Sequence, residues 1–335
     1  MAKVSIQMDP IKDIDIYSDT TFALAMEGIR RGHELFYYET RNLTLYKGIL
    51  EAKGHSIIQL KKELGNHVSL GKTEKRKLKD EEIILMRQDP PFDMNYITYT
   101  HFLEDIHPKT LVVNNPSEVR NAPEKLFVNK FKEFIPETLI SRNFDDIYNF
   151  RKEYKDIIIK PLYGNGGKQI FYIDPNNQNF SSLLEMFFEK SNEPIIIQRY
   201  LPEVKNGDCR VVLIDGKIGG AINRIPLSGE VRSNLHVGGK PEKKKLNNRE
   251  LLICEALENE LKSRGLILVG IDIIGGYLTE INVTSPTGVQ EISKFENINF
   301  EYEKIKFNSE KLKVIKKNQN HIVTGSLKSK KNSIF

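Results

Sequence analysis

Residues 267–283, ILVGIDIIGGYLTEINV, constrain the fold more than any other stretch of this chain. Two runs rich in β-branched and aliphatic residues, 267–274 and 278–283, flank Gly275-Gly276, so the segment reads as a buried β-hairpin. Set into it are Asp272, Glu280 and Asn282. A carboxylate on an apolar strand is costly unless a cation or hydrogen-bond donor meets it. If the loop comprises 275–277, Ile274 faces Leu278 and Asp272 falls opposite Glu280. Asn282, two residues further on, then shares their face. A turn of 275–276 in an unbroken ladder would put the two carboxylates on opposite faces. The expected loop is therefore 275–277. Two carboxylates and a carboxamide, with no His or Cys beside them, are hard oxygen ligands suited to Mg²⁺. The plain alternative is a half-exposed hairpin with a polar outer face, and the residue types alone leave both open.

A second constellation begins at Lys160, the last polar residue of IIIKP (157–161), followed by Leu162-Tyr163-Gly164-Asn165-Gly166-Gly167-Lys168. Three glycines in four residues let backbone N–H groups close over phosphate oxygens. Neither a Walker loop nor G-x-G-x-x-G is present, and a simple glycine hairpin between two strands is the competing account. Lys160 is less ordinary, because an ammonium on an apolar strand calls for an anion. Next come Gln198-Arg199-Tyr200-Leu201-Pro202, a strand end whose backbone could read an adenine edge, and Asp208, whose carboxylate could hold ribose hydroxyls. A bare strand-to-strand crossover would look the same. Arg210 follows, its planar fork suited to an anionic transition state. After Arg224-Ile225-Pro226, residues 227–239 hold few core-forming side chains and a glycine near each end, as in a loop that closes over substrate or in a disordered surface loop. His236 in this loop has no catalytic-looking partner and receives no role.

The rest of the pattern is α/β. Residues 3–8 form a strand, 20–31 a helix closed by Gly32 and 34–39 a second strand; 82–86, a helix at 94–106 and a strand at 110–114 complete a small open sheet. The Lys-rich stretch 61–81 reads as an exposed loop or hairpin connection. Short helices fall around 117–133. Further strands are expected at 157–161, 168–173, 195–199, 210–214, 267–274 and 278–283, with helices at 144–154, 180–190 and 248–264 covering one side of a single sheet. The division is 1–120 for an N-terminal domain, 121–300 for a second unit in two lobes (about 121–200 and 201–300), and 301–335 for a Lys-rich mobile tail.

Charge argues against nucleic acid. The net charge is +5, but residues 303–335 carry nine Lys against two Glu, which leaves the preceding 302 residues at about −2. There is no apolar run long enough to span a membrane and no secretory leader, so a cytoplasmic protein is expected. Cys209 and Cys254 are far apart in sequence and read as free thiols.

In this order, Lys125, Lys160 with its glycine loop, the linker at 198–202, Arg210 and Asp272/Glu280/Asn282 resemble the ATP-grasp fold. Met8-Asp9-Pro10-Ile11, LMRQDPPFD at 85–93, EKLF at 124–127, PETL at 136–139, RIP at 224–226 and GIDIIG…LTEINVTSPTG at 270–288 resemble the bacterial glutathione synthetases over about residues 3–295. The resemblance implies a pre-ATP-grasp N-terminal domain followed by a two-lobed ATP-grasp fold, ligation of γ-glutamylcysteine to glycine through an acyl phosphate with ATP as co-substrate, and a homotetramer. It implies that Lys125, Lys160, Gly164, Asn165, Gly166, Gly167, Gln198, Arg199, Tyr200, Leu201 and Asp208 hold the nucleotide. Asp272, Glu280 and Asn282 would ligate two Mg²⁺ ions, with Mn²⁺ the alternative. Arg210, Lys160 and Arg232 would be catalytic, beneath a closing loop at 226–241. Where the family commonly has small residues and Gly-Gly-Arg in that loop, this chain has His236, Val237 and Gly238-Gly239-Lys240. The competing classes are another ATP-grasp ligase, of the D-alanine–D-alanine or glutamate-adding type, and a non-catalytic ATP-binding protein of the synapsin sort. MDPI and MRQDPPFD, with Arg87 and Asp89 able to face a charged peptide, separate the first; the retained Arg210 and metal ligands separate the second.

Overall fold

A computed structural model describes residues 1–296. The expected mobile tail at 301–335 lies outside these residues.

The N-terminal sheet is built from β1 (Lys3–Gln7), α1 (Thr20–Arg30), β2 (Glu34–Tyr38), β3 (Leu43–Tyr46), β4 (Ile49–Leu60), β5 (Val68–Lys77), β6 (Ile83–Met86), α2 (Met94–Glu104) and β7 (Leu111–Val113). Strands β2, β1, β6 and β7 lie in that order and are parallel, and their nearly continuous apolar runs are buried as such strands require. Asp19 caps α1 and Asp93 caps α2, each accepting a backbone N–H three residues on. The antiparallel strands β3, β4 and β5 extend the sheet on the β2 side. The segment expected as a loop or hairpin connection, 61–81, is such a connection only at 61–67: residues 68–77 are a strand paired with β4, and 78–80 form a short 3-10 turn. Sequence periodicity hid β4 and β5 for physical reasons. β4 carries two register shifts, and β5 is a solvent-facing strand with Lys72, Lys75 and Lys77, so neither has a clean apolar alternation.

The remainder forms two sheets where one was expected. α3 (Pro116–Arg120) leads to β8 (Thr138–Ser141), α4 (Phe144–Tyr154), β9 (Ile157–Pro161), β10 (Phe171–Ile173), α5 (Phe180–Lys190) and β11 (Ile195–Arg199), whose four strands run β10-β9-β11-β8, all antiparallel. Then β12 (Asp208–Ile214), β13 (Lys217–Ile225), β14 (Lys240–Lys243), α6 (Asn248–Arg264), β15 (Leu268–Ile274) and β16 (Tyr277–Asn282) give a five-stranded antiparallel sheet in the order β14-β13-β12-β15-β16. α7 (Val289–Glu296) closes against α1. Helices α4, α5 and α6 occupy the expected spans, but α4 and α5 pack on the four-stranded sheet while α6 packs on the five-stranded one. The strand expected at 168–173 starts only at Phe171, because Gly166, Gly167 and Gln169 all hold positive φ, which no strand accommodates.

Core packing divides the molecule differently from sequence order. Two apolar clusters each contain residues of both the N-terminal sheet and the five-stranded sheet: Tyr38 and Val112 with Val211 and Ile271, and Ile6 and Leu85 with Val212 and Ile222. The four-stranded sheet has a cluster of its own around Ile147, Ile159, Phe180 and Ile197. A polar weld joins the first two sheets. Asn114, buried at the end of β7, donates to the carbonyls of Leu268 and Val283 at 2.8 and 2.7 Å and accepts from the N–H groups of Ile267 and Leu268 at 2.7 and 2.8 Å. Replacing it strands four backbone groups without partners, each costing about 1–3 kcal/mol when buried. Asn114→Ala is therefore expected to lower the unfolding free energy by at least about 3 kcal/mol, read from urea denaturation; a loss below about 1 kcal/mol would show that water replaces the amide.

Candidate active site

The β15–β16 hairpin corrects the expected loop. Ile274 pairs with Tyr277 and Ile273 with Leu278, so the turn is Gly275-Gly276, with φ of +57° and +79° as a tight two-residue turn demands. The ladder then shifts by one residue, and Asp272 nevertheless pairs with Glu280, Ile271 with Ile281 and Gly270 with Asn282. Thr279 is the extra residue of a β-bulge, and its hydroxyl donates to the Asp272 carbonyl at 3.1 Å. A two-residue turn separates the carboxylates only in an unbroken ladder. The bulge restores their common face.

Strand register continues this pattern across the sheet. Asp272 pairs laterally with Arg210 on β12, and Asp208, two residues earlier on β12, pairs with Arg224 on β13. Glu280, Asp272, Arg210, Asp208 and Arg224 therefore lie side by side on one face. Arg210 clasps Asp272 with Nε and Nη2, at 2.5 and 2.9 Å, and Arg224 Nη2 bridges Asp272 at 2.8 Å and Asp208 at 2.5 Å. Asp272 is 2 % exposed. Burial alone would raise its pKa, but the two guanidinium groups hold it well below the usual carboxylate range. Asp208 balances the other way: burial pushes it up to about 6 despite Arg224.

Beside this row is a second cluster. Lys125 Nζ donates to Glu124 at 2.6 Å and to the Gly164 carbonyl, and lies 3.6 Å from Glu280; Lys160 Nζ is 3.7 Å from the same Glu280 oxygen. All four side chains are largely enclosed. Burial, then the charge of Glu280, pushes Glu124 up to about 8. Burial would also raise Glu280, but Lys125 and Lys160 bring it below its ordinary value. Lys160 itself is lowered, chiefly by burial. The glycine loop arches over this cluster, and Gly164, Asn165, Gly166 and Gly167 share a small cavity with Lys125, Lys160 and Glu280. A Cβ on Gly164 would meet the Pro161 ring at 2.4 Å, so the loop's tight approach needs glycine there.

Between the two smaller sheets runs a cleft of about 620 Å³ lined by Lys160, Gln198, Arg199, Tyr200, Leu201 and Asp208 on one stretch and by Val231–Asn234, Asp272 and Glu280 on another. Its apolar walls are Ile158, Ile170, Val204 and Ile274. A second cleft, about 630 Å³ and more polar, adjoins it at Glu280 and Asn234 and includes Arg210, Arg224 and Asn282. Every residue expected to hold nucleotide or metal or to act in catalysis thus borders one of these three cavities, which share Glu280 and Asn234. The 227–239 loop folds over that space: Ser233 Oγ donates to Asp208 at 2.9 Å and Arg232 Nη1 to the Gly167 carbonyl at 3.3 Å. Sequence reasoning gave no role to Glu124, Arg224, Ser233 or Thr279. Glu124 and Arg224 sit inside EKLF and RIP, so a signal existed; Thr279 had none, because a bulge leaves no mark on composition.

Comparisons with known proteins agree across nearly the whole described chain. The family profile described as prokaryotic glutathione synthetase, N-terminal domain, matches residues 2–120, and that described as prokaryotic glutathione synthetase, ATP-grasp domain, matches residues 124–297. A glutathione synthetase of Brucella melitensis is 52% identical over 297 residues, covering 89% of this chain and 95% of its own, and one of Mesorhizobium japonicum is 53% identical over 293 residues, covering 88% and 93%. Among solved structures, a D-cycloserine synthetase superposes with a TM-score of 0.62 at 13% identity, covering 89% of this chain and 97% of its own, a likeness of fold.

The ionic row has a stability consequence. Asp272→Asn removes the anion shared by two buried guanidinium groups and should cost about 3–5 kcal/mol in urea denaturation. A change of less than about 1 kcal/mol would mean that Asp208 and water compensate both arginines.

Proposed function

The chain belongs to the prokaryotic glutathione synthetase family, and on that premise we propose how its residues divide the work of ligation. It is an ATP-dependent carbon–nitrogen ligase of the ATP-grasp fold, with ATP, γ-glutamylcysteine and glycine as substrates. The observation that carries the residue assignment is the buried internal salt: four carboxyl groups, Glu124, Asp208, Asp272 and Glu280, neutralised by Lys125, Lys160, Arg210 and Arg224 at the meeting of two clefts.

Such a cluster is receptive to a metal–nucleotide complex because each half of the complex satisfies one half of the cluster. Phosphates take the lysines and arginines, and divalent cations take the carboxylates. Glu280, whose lysine partners stand at 3.6 and 3.7 Å, has oxygen lone pairs to give, and Asp272 and the Asn282 carboxamide share its face. Among the described residues no three His, Cys, Asp or Glu side chains could hold a metal ion by themselves, so these ligands would need phosphate oxygens to complete the coordination. We assign two Mg²⁺ ions to these three ligands, with Mn²⁺ as the alternative; bound there, the metal would neutralise phosphate charge and polarise the transferring phosphoryl group.

The remaining roles follow from position. Lys125, Lys160 and the N–H groups of 164–167 hold the phosphates, the segment 198–201 and the apolar walls of the cleft receive adenine, and Asp208 receives the ribose in place of Ser233. The peptide's cysteinyl carboxylate attacks the γ-phosphoryl, the bond from that phosphorus to the β,γ-bridging oxygen breaks and ADP leaves; charge developing on the phosphoryl oxygens is met by Arg210, with Arg224 beside it and Arg232 above. The amine of glycine then attacks the acyl carbonyl carbon, the C–N bond forms, and inorganic phosphate leaves. Acyl phosphates hydrolyse in water, so the 226–241 loop, closed across Gly167 and Asp208, protects the intermediate. No protein nucleophile is needed. A cytoplasmic homotetramer is the family expectation; among the described residues no helix is long and apolar enough to cross a membrane.

The direct test is ADP release with γ-glutamylcysteine and glycine, against D-alanine and glutamate as acceptors. Turnover should depend on glycine, and equal rates with the controls would point to a different ATP-grasp ligase. In the same assay Glu280→Gln should lower kcat by at least about 10²–10³-fold with an unchanged circular-dichroism spectrum. Near-normal turnover of that variant would remove Glu280 from the metal site.

A further inference from the structure

Among the described residues, two cavities lead toward the ligation centre without taking a wall from the 226–241 loop. The inner one, about 380 Å³, shares Pro90, Glu124, Asn165 and Thr284 with the polar cleft and so opens on that centre. The outer one is a groove of about 1240 Å³ at the surface, where Met94 is 71 % exposed. Phe92, Leu162, Tyr163 and Gly164 border both cavities and are the partition between them. Leu162 is buried, and Gly164 is fixed, its carbonyl taken by Lys125 and its Cα without room for a side chain beside Pro161. The two aromatic side chains are therefore the part of the wall that can move. Their rings stack with centroids 6.2 Å apart and 26° between planes, and both are half-buried. They belong to different bodies. Phe92 packs against a core shared by the N-terminal and five-stranded sheets, and against the buried ring of Tyr96 at 5.4 Å. Tyr163 follows β9 of the four-stranded sheet, whose core is separate. A single aromatic stack adds little beyond the area it covers, and one that spans two cores parts with small movements of either.

The reaction needs such an opening. The acyl phosphate must meet glycine while water is kept away, and the 226–241 loop already covers the cleft through Asp208 and Gly167. An acceptor arriving beneath that loop would require it to open when the intermediate is most exposed to hydrolysis. A side passage removes the conflict, and its width then limits which amines pass. Its chemistry suits an amino acid without a side chain: mostly apolar walls, and one carboxylate, Glu124, at the inner end, hydrogen-bonded by Lys125 at 2.6 Å. That carboxylate draws the ammonium end in first, the end that has to reach the acyl carbon. Resting on the function proposed above, we propose that Phe92 and Tyr163 form a gate through which glycine enters the closed site, and that their separation sets the size of acceptor the enzyme uses.

Acceptors of increasing size read the gate: hydroxylamine, glycine, L-alanine and L-2-aminobutyrate, each followed as hydroxamate or amide product at saturating ATP and γ-glutamylcysteine. Phe92 carries the test, since it lies outside the nucleotide cleft. Phe92→Ala widens the passage and should raise kcat/KM for L-alanine relative to glycine about tenfold. It should also raise ADP release in the absence of any acceptor, as water enters, with the KM for ATP unchanged. Phe92→Trp narrows the passage and should lower kcat/KM for glycine about tenfold while leaving that for hydroxylamine near the wild-type value. Tyr163→Ala should shift the acceptor series in the same direction as Phe92→Ala, and decides the matter should a Phe92 variant fail to fold. Losses equal for every acceptor, as damaged packing would give, overturn the gate, and so does an acceptor series in the Ala variants that matches wild type. Glycine-dependent ADP release by wild-type enzyme tests the underlying function separately. Its absence removes the ligase assignment, whereas normal turnover with an unmoved acceptor series removes the gate alone.

Discussion

The chemistry of this molecule depends on strand register in its five-stranded sheet. Side chains alternate faces with period two, so five charged residues from four strands reach one face only if every ladder between them is in phase. Arg210 against Asp272 and Asp208 against Arg224 are direct lateral pairs, and the phase holds between β12, β13 and β15. The tight Gly275-Gly276 turn would break it at the last step, sending Glu280 to the opposite face. Thr279, one additional residue, restores it. The bulge therefore decides which face Glu280 takes: a hairpin without it would be as good a hairpin and would part the two carboxylates.

Phase alone does not hold the site in place, because its parts come from different bodies. The N-terminal and five-stranded sheets share two apolar clusters and are joined by Asn114, whose amide serves four backbone groups. The four-stranded sheet keeps a separate core. It meets the rest at the cleft through Lys160, the glycine loop and the contacts of Lys125 with Gly164 and of Arg232 with Gly167. Those contacts are polar and lie along the cleft, and a stack of Phe92 on Tyr163 adds an aromatic contact beside them. A two-sheet base with a third sheet that keeps its own core is the construction expected where domains move relative to one another.

How much of this was legible follows from what each feature leaves in a sequence. Helices α4, α5 and α6 occupy the spans expected from the sequence; Asn143 and Asn247 cap the first and last of them. β13 was missed because Gly219 and Gly220 interrupt it, and β5 because a solvent-facing strand of Lys and Glu resembles a loop. The identity of the chemical residues was more legible than their geometry. Lys160, Arg210, Asp272 and Glu280 stand out as charges on apolar segments, which burial penalises unless they meet, whereas Lys125 is marked only by the EKLF resemblance. Which charges meet was hidden, since ladder phase depends on a bulge. Arg224 shows the difference: the RIP motif marks the residue, but only its place opposite Asp208 makes it the link between two carboxylates.

Buried ion clusters are poor sources of stability, since desolvation offsets most of the attraction and apolar replacements often stabilise more. A cluster with four carboxyl groups therefore calls for another explanation. Here the cations and anions are held apart on different elements, and several pairs are loose: Lys125 and Lys160 approach Glu280 no closer than 3.6 and 3.7 Å. Desolvation has already been suffered in folding, so an incoming phosphate meets cations stripped of water and a metal meets carboxylates likewise stripped, with little reorganisation left to the reaction itself.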